Sequence, residues 1–242
     1  MKPFAYLKSL LPRRQGAFAP VAPDTAFCVI GDIHGCDDKL ARALERVPKG
    51  VPLVCVGDYI DRGPASAGVL RRLMARQDTF CLRGNHEEMM MEFLEAPAEG
   101  GAHWLHKGGQ QTLESFGVPM PGPTDAEIRA AADALRRAMG DDLLEWLYAR
   151  PLMYRNGNVV VVHAAMDPDR PVGDQLHRHL TWGHPDFLKT RRRDGLWVVH
   201  GHTVIKPAAA RNGRISVDTG AFAGGSLTLA YIAPGAVRFM SV

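Results

Sequence analysis

The stretch AFCVIGDIHG (Ala26–Gly35) decides the reading of this chain. An apolar run ends at a glycine, and a polar turn follows. The pattern returns in PLVCVGDYIDRG (Pro52–Gly63) and in TFCLRGNHE (Thr79–Glu87). The runs Ala26–Ile30, Pro52–Val56 and Thr79–Leu82 have the near-continuous apolar character of parallel strands buried on both faces. Helical spacing fills the gaps: Asp38–Val47 sets Leu40, Leu44 and Val47 on one face, and Pro64 opens Ala65–Arg76 at the first helical position. Strand, polar turn and helix in repetition predict an α/β layer whose functional groups collect at the carboxyl ends of the strands.

Beyond His86 the character changes. A helix continues through Met89–Leu94, and Gly100–Gly109 reads as a loop around Trp104. Thr124 and Glu127 form a capping box for a helix reaching Met139, and a further helix starts at Asp141. Residues 86–150 therefore read as a helical insertion, either walling one side of a site or simply packing. After Pro151 strands dominate, with hairpin turns at Asn156-Gly157-Asn158 and Arg211-Asn212-Gly213-Arg214. The expected architecture is a four-layer α/β sandwich: two packed mixed sheets, helices outside, and the site on one rim.

Composition sets the outer bounds. The chain's 242 residues suit one domain, with 46% hydrophobic and 23% charged residues. We read residues 1–24 as a flexible lead-in, with docking of Phe4, Tyr6, Leu7, Leu10 and Leu11 on a surface as the alternative, and 25–242 as a single domain. A net charge of +3 gives no case for a nucleic-acid partner. No apolar run approaches the roughly 18 residues of a membrane span, and no signal-peptide pattern occurs, so the expectation is a cytoplasmic protein without a membrane partner. Cys28, Cys55 and Cys81 sit inside apolar runs and read as buried thiols that neighbouring strands would line up, and no CxxC pair exists.

Six motifs follow one another: GDIHG (31–35), GDYIDRG (57–63), GNHE (84–87), VVVVHAA (159–165), GHT (201–203) and DTGA (218–221). Taken singly, an Asp in such a turn is a capping residue and a lone His a satisfied polar group. The ordered series is what points to a metal centre. Asp32 and His34, two apart, point the same way if the chain is extended there, and offer an oxygen and a nitrogen to one ion. Asp58 is placed to bridge to a second, for which Asn85, His163 and His202 supply a carbonyl oxygen and two imidazoles. Mixed nitrogen and oxygen ligation suits manganese, iron, zinc or nickel, with manganese placed first.

The series resembles the calcineurin-like metallophosphoesterases, and within them the PPP-type serine/threonine phosphatases of bacteria and phages, the lambda-phosphatase-like members above all. The resemblance runs over roughly residues 26–232. It implies a first metal on Asp32, His34 and Asp58 and a second on Asp58, Asn85, His163 and His202. Many nucleases of the superfamily carry GHxH, whose last His binds the first metal. Val204 stands there in Gly201-His202-Thr203-Val204, as in the PPP branch. Two cations about 3.5–4 Å apart would activate a bridging hydroxide for direct attack on a phosphomonoester. By the same resemblance Arg62 grips phosphate oxygens, His86 protonates the leaving oxygen and Asp61 orients His86.

One position departs from the pattern. In Leu180-Thr181-Trp182-Gly183-His184, bacterial relatives usually carry a phosphate-gripping arginine where His184 stands. Either His184 substitutes or an arginine of Arg191-Arg192-Arg193 reaches in, unless that run is a solvated face. Cys36 to Arg42 matches the C-x5-R spacing of cysteine phosphatases, but Asp37 and Asp38 would repel a phosphate, and we read the match as coincidence. The expected activity is a serine/threonine protein phosphatase on phosphorylated protein or small phosphoesters. The alternatives are a symmetrical dinucleoside tetraphosphate hydrolase, then a cyclic-nucleotide phosphodiesterase. A non-enzymatic metal-binding scaffold is disfavoured because every ligand position is filled. Oligomeric state is left open.

Overall fold

The four valines of Val159–Val162 alternate between two cores. Val159 and Val161 face an apolar layer that also holds Phe27, Val29, Val54 and Val56, while Val160 and Val162 face another with Leu180 and Phe187. Neither side offers water, which is why the run carries no polar alternation. A computed structural model of the protein describes residues 18–242. Its strands in chain order are β1 (Phe27–Ile30), β2 (Leu53–Cys55), β3 (Thr79–Cys81), β4 (Met153–Asn156), β5 (Val159–Val162), β6 (Trp197–His200), β7 (Ala209–Arg211), β8 (Arg214–Ser216), β9 (Thr228–Ala233) and β10 (Ala236–Ser241). They form two five-stranded mixed sheets, β10-β9-β1-β2-β3 and β4-β5-β6-β8-β7. In the first, β1, β2 and β3 are parallel and β9 runs antiparallel beside β1. In the second, β5, β6 and β8 are parallel. The sheets pack face to face, as the sequence implied.

Helices α1 (Asp37–Glu45), α2 (Ser66–Met74), α3 (Asn85–Glu95), α4 (Pro97–Trp104), α5 (Gln110–Ser115), α6 (Asp125–Met139) and α7 (Asp141–Tyr148) surround the core on the outer face of the first sheet. The outer face of the second is covered by the short α8 (His177–Trp182) and its flanking loops. The capping box of α6 is present: Thr124 Oγ1 accepts from the Glu127 N–H, and Glu127 accepts from the Thr124 N–H.

Pro64 lies before the N-cap Ala65 of α2, so it is not the first helical residue. Most of Gly100–Gly109 is helical, in α4 and the turn after it, but Gly108 (φ 114°) breaks the helix in a kink before α5. The glycines there serve close packing: a Cβ on Gly109 would lie 2.5 Å from the Trp104 ring. Strand β7 had no sequence signature beyond its hairpin turn, where Asn212 (φ 52°) and Gly213 (φ 77°) are both left-handed. Cys55 stands opposite Cys81, but Cys28 faces Leu53; all four thiols are unpaired and buried.

Of the lead-in, residues 1–17, and with them Phe4, Tyr6, Leu7, Leu10 and Leu11, lie outside the described residues. Phe18 packs edge-on to Trp197, and the N–H groups of Ala22 and Asp24 donate to the Asn158 and Asn156 side chains. Among the described residues no helix is long and apolar enough to cross a membrane.

Candidate metal and phosphate site

The parallel strands of both sheets end at one rim, and the motif residues stand just past those ends. Asp32 follows β1, Asp58 follows β2, Asn85 opens α3, His163 follows β5 and His202 follows β6. Asp58 is the hub. Its Oδ2 lies 3.4 Å from His34 Nε2, and its Oδ1 lies 3.4 Å from His163 Nε2. It therefore belongs to two donor groups at once, one with His34 and His86 and one with His163 and His202. Asn85 Oδ1 is 2.9 Å from both His163 Nε2 and His202 Nδ1.

The donor chemistry fits cations. His34 Nδ1–H donates to the Ile60 carbonyl, and His163 Nδ1–H donates to that of Val56. Each ring thus turns a lone pair, not a proton, into the site. His163 Nε2 and Asn85 Oδ1 then face each other as two acceptors, an arrangement that a cation reconciles. Burial holds His34 neutral, with its pKa lowered to about 3. Burial opposes the charge on Asp58, but His163, His86 and His34 outweigh it and hold its pKa below the ordinary carboxylate value. Asp32 Oδ2 accepts from the His202 N–H, while Oδ1 is buried without a partner. Burial, then Asp218 and Asp58, raises the Asp32 pKa, so an isolated charge there is costly. A Cβ on Gly201 would sit 1.9 Å from that Oδ1, which leaves only glycine at this position.

The turns that present these groups are strained. Of the six non-glycine residues with positive φ among the described ones, five are His34, Asp58, Asp61, Arg62 and His202. His34 therefore reaches the site from a left-handed turn (φ 46°), not from an extended chain. Glu87 holds the Asp58 turn in place. Its carboxylate accepts from the N–H groups of Gly84, Asp58 and Tyr59, at 2.8–2.9 Å.

Beside this centre lies a second cluster. His86 Nδ1–H donates to Asp61 Oδ2 at 2.6 Å. Arg62 donates from Nη1 to His34 Nε2 and from Nη2 to His86 Nε2, at 3.0 and 2.9 Å. Burial disfavours a charged His86, yet Asp58 and Asp61 outweigh it and raise its pKa. The helical insertion builds the Asp61 socket. Trp104 Nε1–H and Thr112 Oγ1–H both donate to the Asp61 carboxylate, and the Arg62 N–H donates to the Gly108 carbonyl. The insertion thus walls the site and does not merely pack.

The family model of calcineurin-like phosphoesterases matches residues 25–206. The chain belongs to that family. Similar proteins include the asymmetrical bis(5'-nucleosyl)-tetraphosphatase PrpE of Bacillus subtilis, 27% identical, with 84% of this chain and 89% of the relative covered. Serine/threonine-protein phosphatase 1 of Salmonella typhimurium is 32% identical, with 84% and 90% covered. The solved structure of a cold-active protein-tyrosine phosphatase of a Shewanella species matches with a TM-score of 0.62 at 16% identity, covering 92% of this chain and 81% of that one. This last likeness shows the fold alone.

In this phosphoesterase, the residue at the departing position is engaged elsewhere. His184 Nε2 lies 3.7 Å from Asp167 Oδ2, and its ring meets that of His179 edge-on. Arg192 is buried, bonded to Asp194 and to the Asp167 and Arg170 carbonyls, and Arg191 lies over Phe18. Cys36 is buried, burial raises its pKa, and its thiol donates to the His34 carbonyl at 3.6 Å. Three residues had no assigned role in the sequence reading. Asp218, within DTGA, is a buried carboxylate beside Asp32; Glu87 stood inside a quoted motif; Trp104 stood in the stretch Gly100–Gly109 expected to be a loop.

Proposed function

We propose that this phosphoesterase is a dimetal hydrolase of dinucleoside polyphosphates, with Asp32, His34 and Asp58 holding one divalent ion and Asp58, Asn85, His163 and His202 the other. The observation that carries the choice of substrate is the match to bis(5'-nucleosyl)-tetraphosphatases along most of both chains. Manganese is the first candidate ion. When bound, such a pair supplies Lewis acidity and an activated water.

The remaining work falls to the chain's own residues. Arg62 now bonds two neutral imidazole nitrogens, and phosphate oxygens are stronger acceptors for its planar fork. Its transfer to the substrate frees His86 Nε2, which carries the proton for the leaving oxygen. Asp61 fixes the His86 ring through Nδ1 and favours its cationic form. The buried turn keeps these groups at fixed distances, so little reorganisation accompanies the reaction.

The second reading, a serine/threonine protein phosphatase of the PPP type, is favoured by the Salmonella relative. Metal-stripped protein reloaded separately with manganese, zinc, iron and nickel separates the two. We expect kcat/KM for diadenosine tetraphosphate to exceed that for a phosphoserine peptide or a cyclic nucleotide at least tenfold. The reverse order for the peptide returns the protein-phosphatase reading. Retention of near wild-type hydrolysis in Asp58→Asn would remove the dimetal site.

A further inference from the structure

Exposed apolar side chains collect at the mouth of the site. Val204 follows His202 and is 46% exposed; Phe222 follows Asp218 and is 36% exposed. The two loops meet, since a Cβ on Gly220 would lie 3.3 Å from Val204 Cγ1. The Phe222 ring stands edge-on to His34 at 5.0 Å between centroids, and the Arg62 guanidinium lies over it at 4.5 Å. An aromatic ring about a third exposed, against the arginine proposed to bind phosphate, has no core to serve.

Its position is fixed. Phe222 rides on a single tight turn, Ala221–Ala223, between the left-handed Gly220 and Gly224. Lys39 Nζ donates to the Ala221 and Gly225 carbonyls, at 2.7 Å each, and the Gly225 N–H closes back onto the Gly220 carbonyl. Thr219 Oγ1 adds a bond to the Ser226 carbonyl. A ring held this way is preorganised, and stacking on it costs little ordering.

We infer that Phe222 is the stacking platform for the nucleobase of the nucleotide whose phosphate Arg62 holds. This inference rests on the nucleotide reading of the site. It also selects the bond. The platform touches the arginine itself, so the base that reaches it is one ribose away from the phosphorus under attack, which is the α-phosphorus. Water oxygen bonds to that phosphorus and gives up a proton. The bond from the α-phosphorus to its α,β-bridging oxygen breaks, and the electron pair leaves with that oxygen, which takes the His86 proton. Diadenosine tetraphosphate then gives AMP and ATP. Cleavage between the two inner phosphates would set one more phosphate between the base and the attacked phosphorus.

Hydrolysis in ¹⁸O-water reads the position of attack, and we expect the label in AMP and none in ATP. Phe222→Ala should lower the ratio of kcat/KM for diadenosine tetraphosphate to that for inorganic tripolyphosphate by about tenfold, the scale of one lost base stack. Phe222→Trp should restore it. Label in ATP, two ADP as products, or an unchanged ratio with good diadenosine tetraphosphate hydrolysis overturns the platform and leaves the nucleotide reading standing. A wild-type protein that cleaves tripolyphosphate and phosphoserine peptide but not diadenosine tetraphosphate overturns both.

Discussion

Asp61 carries no proposed metal and touches no phosphate, yet it receives donors from three different elements. Its carboxylate takes His86 Nδ1–H, Trp104 Nε1–H and Thr112 Oγ1–H, and its backbone is left-handed at φ 71°. Asn tolerates that backbone while removing the charge. For Asp61→Asn we expect kcat to fall about 10²-fold, the lower end of general-acid effects, with a small change in KM. The sign of the pH effect follows from His86: burial alone lowers its pKa, and Asp58 and Asp61 raise it. Without the Asp61 charge the pKa falls, so the alkaline limb of the kcat profile moves to lower pH. A profile that keeps its alkaline limb removes His86 as the acid. Asp61, Arg62 and His86 were legible because their types and order sit inside motifs. Glu87 was not, because beyond the Gly84 N–H of its own helix start its partners are the Asp58 and Tyr59 N–H groups of a turn on another segment, which no side-chain spacing reveals.

Among elements, the insertion is where the sequence misled. Gly100, Gly101 and Gly109 imitate a loop but allow close approaches, and only at Gly108 does the helix break (φ 114°), where a Cβ would also lie 2.7 Å from the Arg62 nitrogen. Glycine weakens a helix in isolation, and tertiary contact overrides that preference here. Trp104→Phe keeps an aromatic ring against Phe93, now at 4.7 Å between centroids, and removes the indole donor to Asp61 together with part of the buried ring that packs on Gly109. We expect kcat to fall roughly tenfold, about 1.4 kcal/mol, with a lower urea midpoint from the lost ring volume and the alkaline limb of the kcat profile displaced; a midpoint that falls while kcat and its pH profile stay at wild-type values would make the role one of packing alone. At the end of β6, His200 is buried, donates from Nδ1 to the Gly201 carbonyl and accepts from Ser216 Oγ at Nε2. Burial lowers its pKa to about 4. The unfolded chain, titrating near 6.5, binds a proton that the folded chain refuses, so this contribution is complete above about pH 6.5 and is lost as the pH falls towards 4. At pH 5 the loss is roughly 2 kcal/mol. Unfolding of wild type and His200→Gln at pH 7 and pH 5 should show the smaller drop in the variant. The strands themselves were legible because burial on both faces leaves an unbroken apolar run.

For the whole molecule, the proposed ligands come from both halves of the sandwich: Asp32, Asp58 and Asn85 from the first sheet and its helix, His163 and His202 from the second. The second ion, held by Asp58 and Asn85 on one side and His163 and His202 on the other, would cross-link the sheets, and chelation should lower the melting temperature by several degrees, with recovery on adding back manganese. A melting temperature indifferent to chelator would argue against that clamp. The two-sheet plan was readable from alternating apolar runs and turns, whereas which strands neighbour one another was not, since pairing depends on partners far along the chain. The pairing of Cys28 with Tyr231 carries this furthest. During synthesis β1 emerges early, but the strand that covers its free edge follows about 200 residues later, roughly 10–40 s at ordinary elongation rates. For that interval the nascent chain shows an apolar, unpaired edge, the form most prone to association with its neighbours. Yield of this protein should therefore respond to translation speed and to chaperones that hold exposed strands, more than its finished stability would suggest.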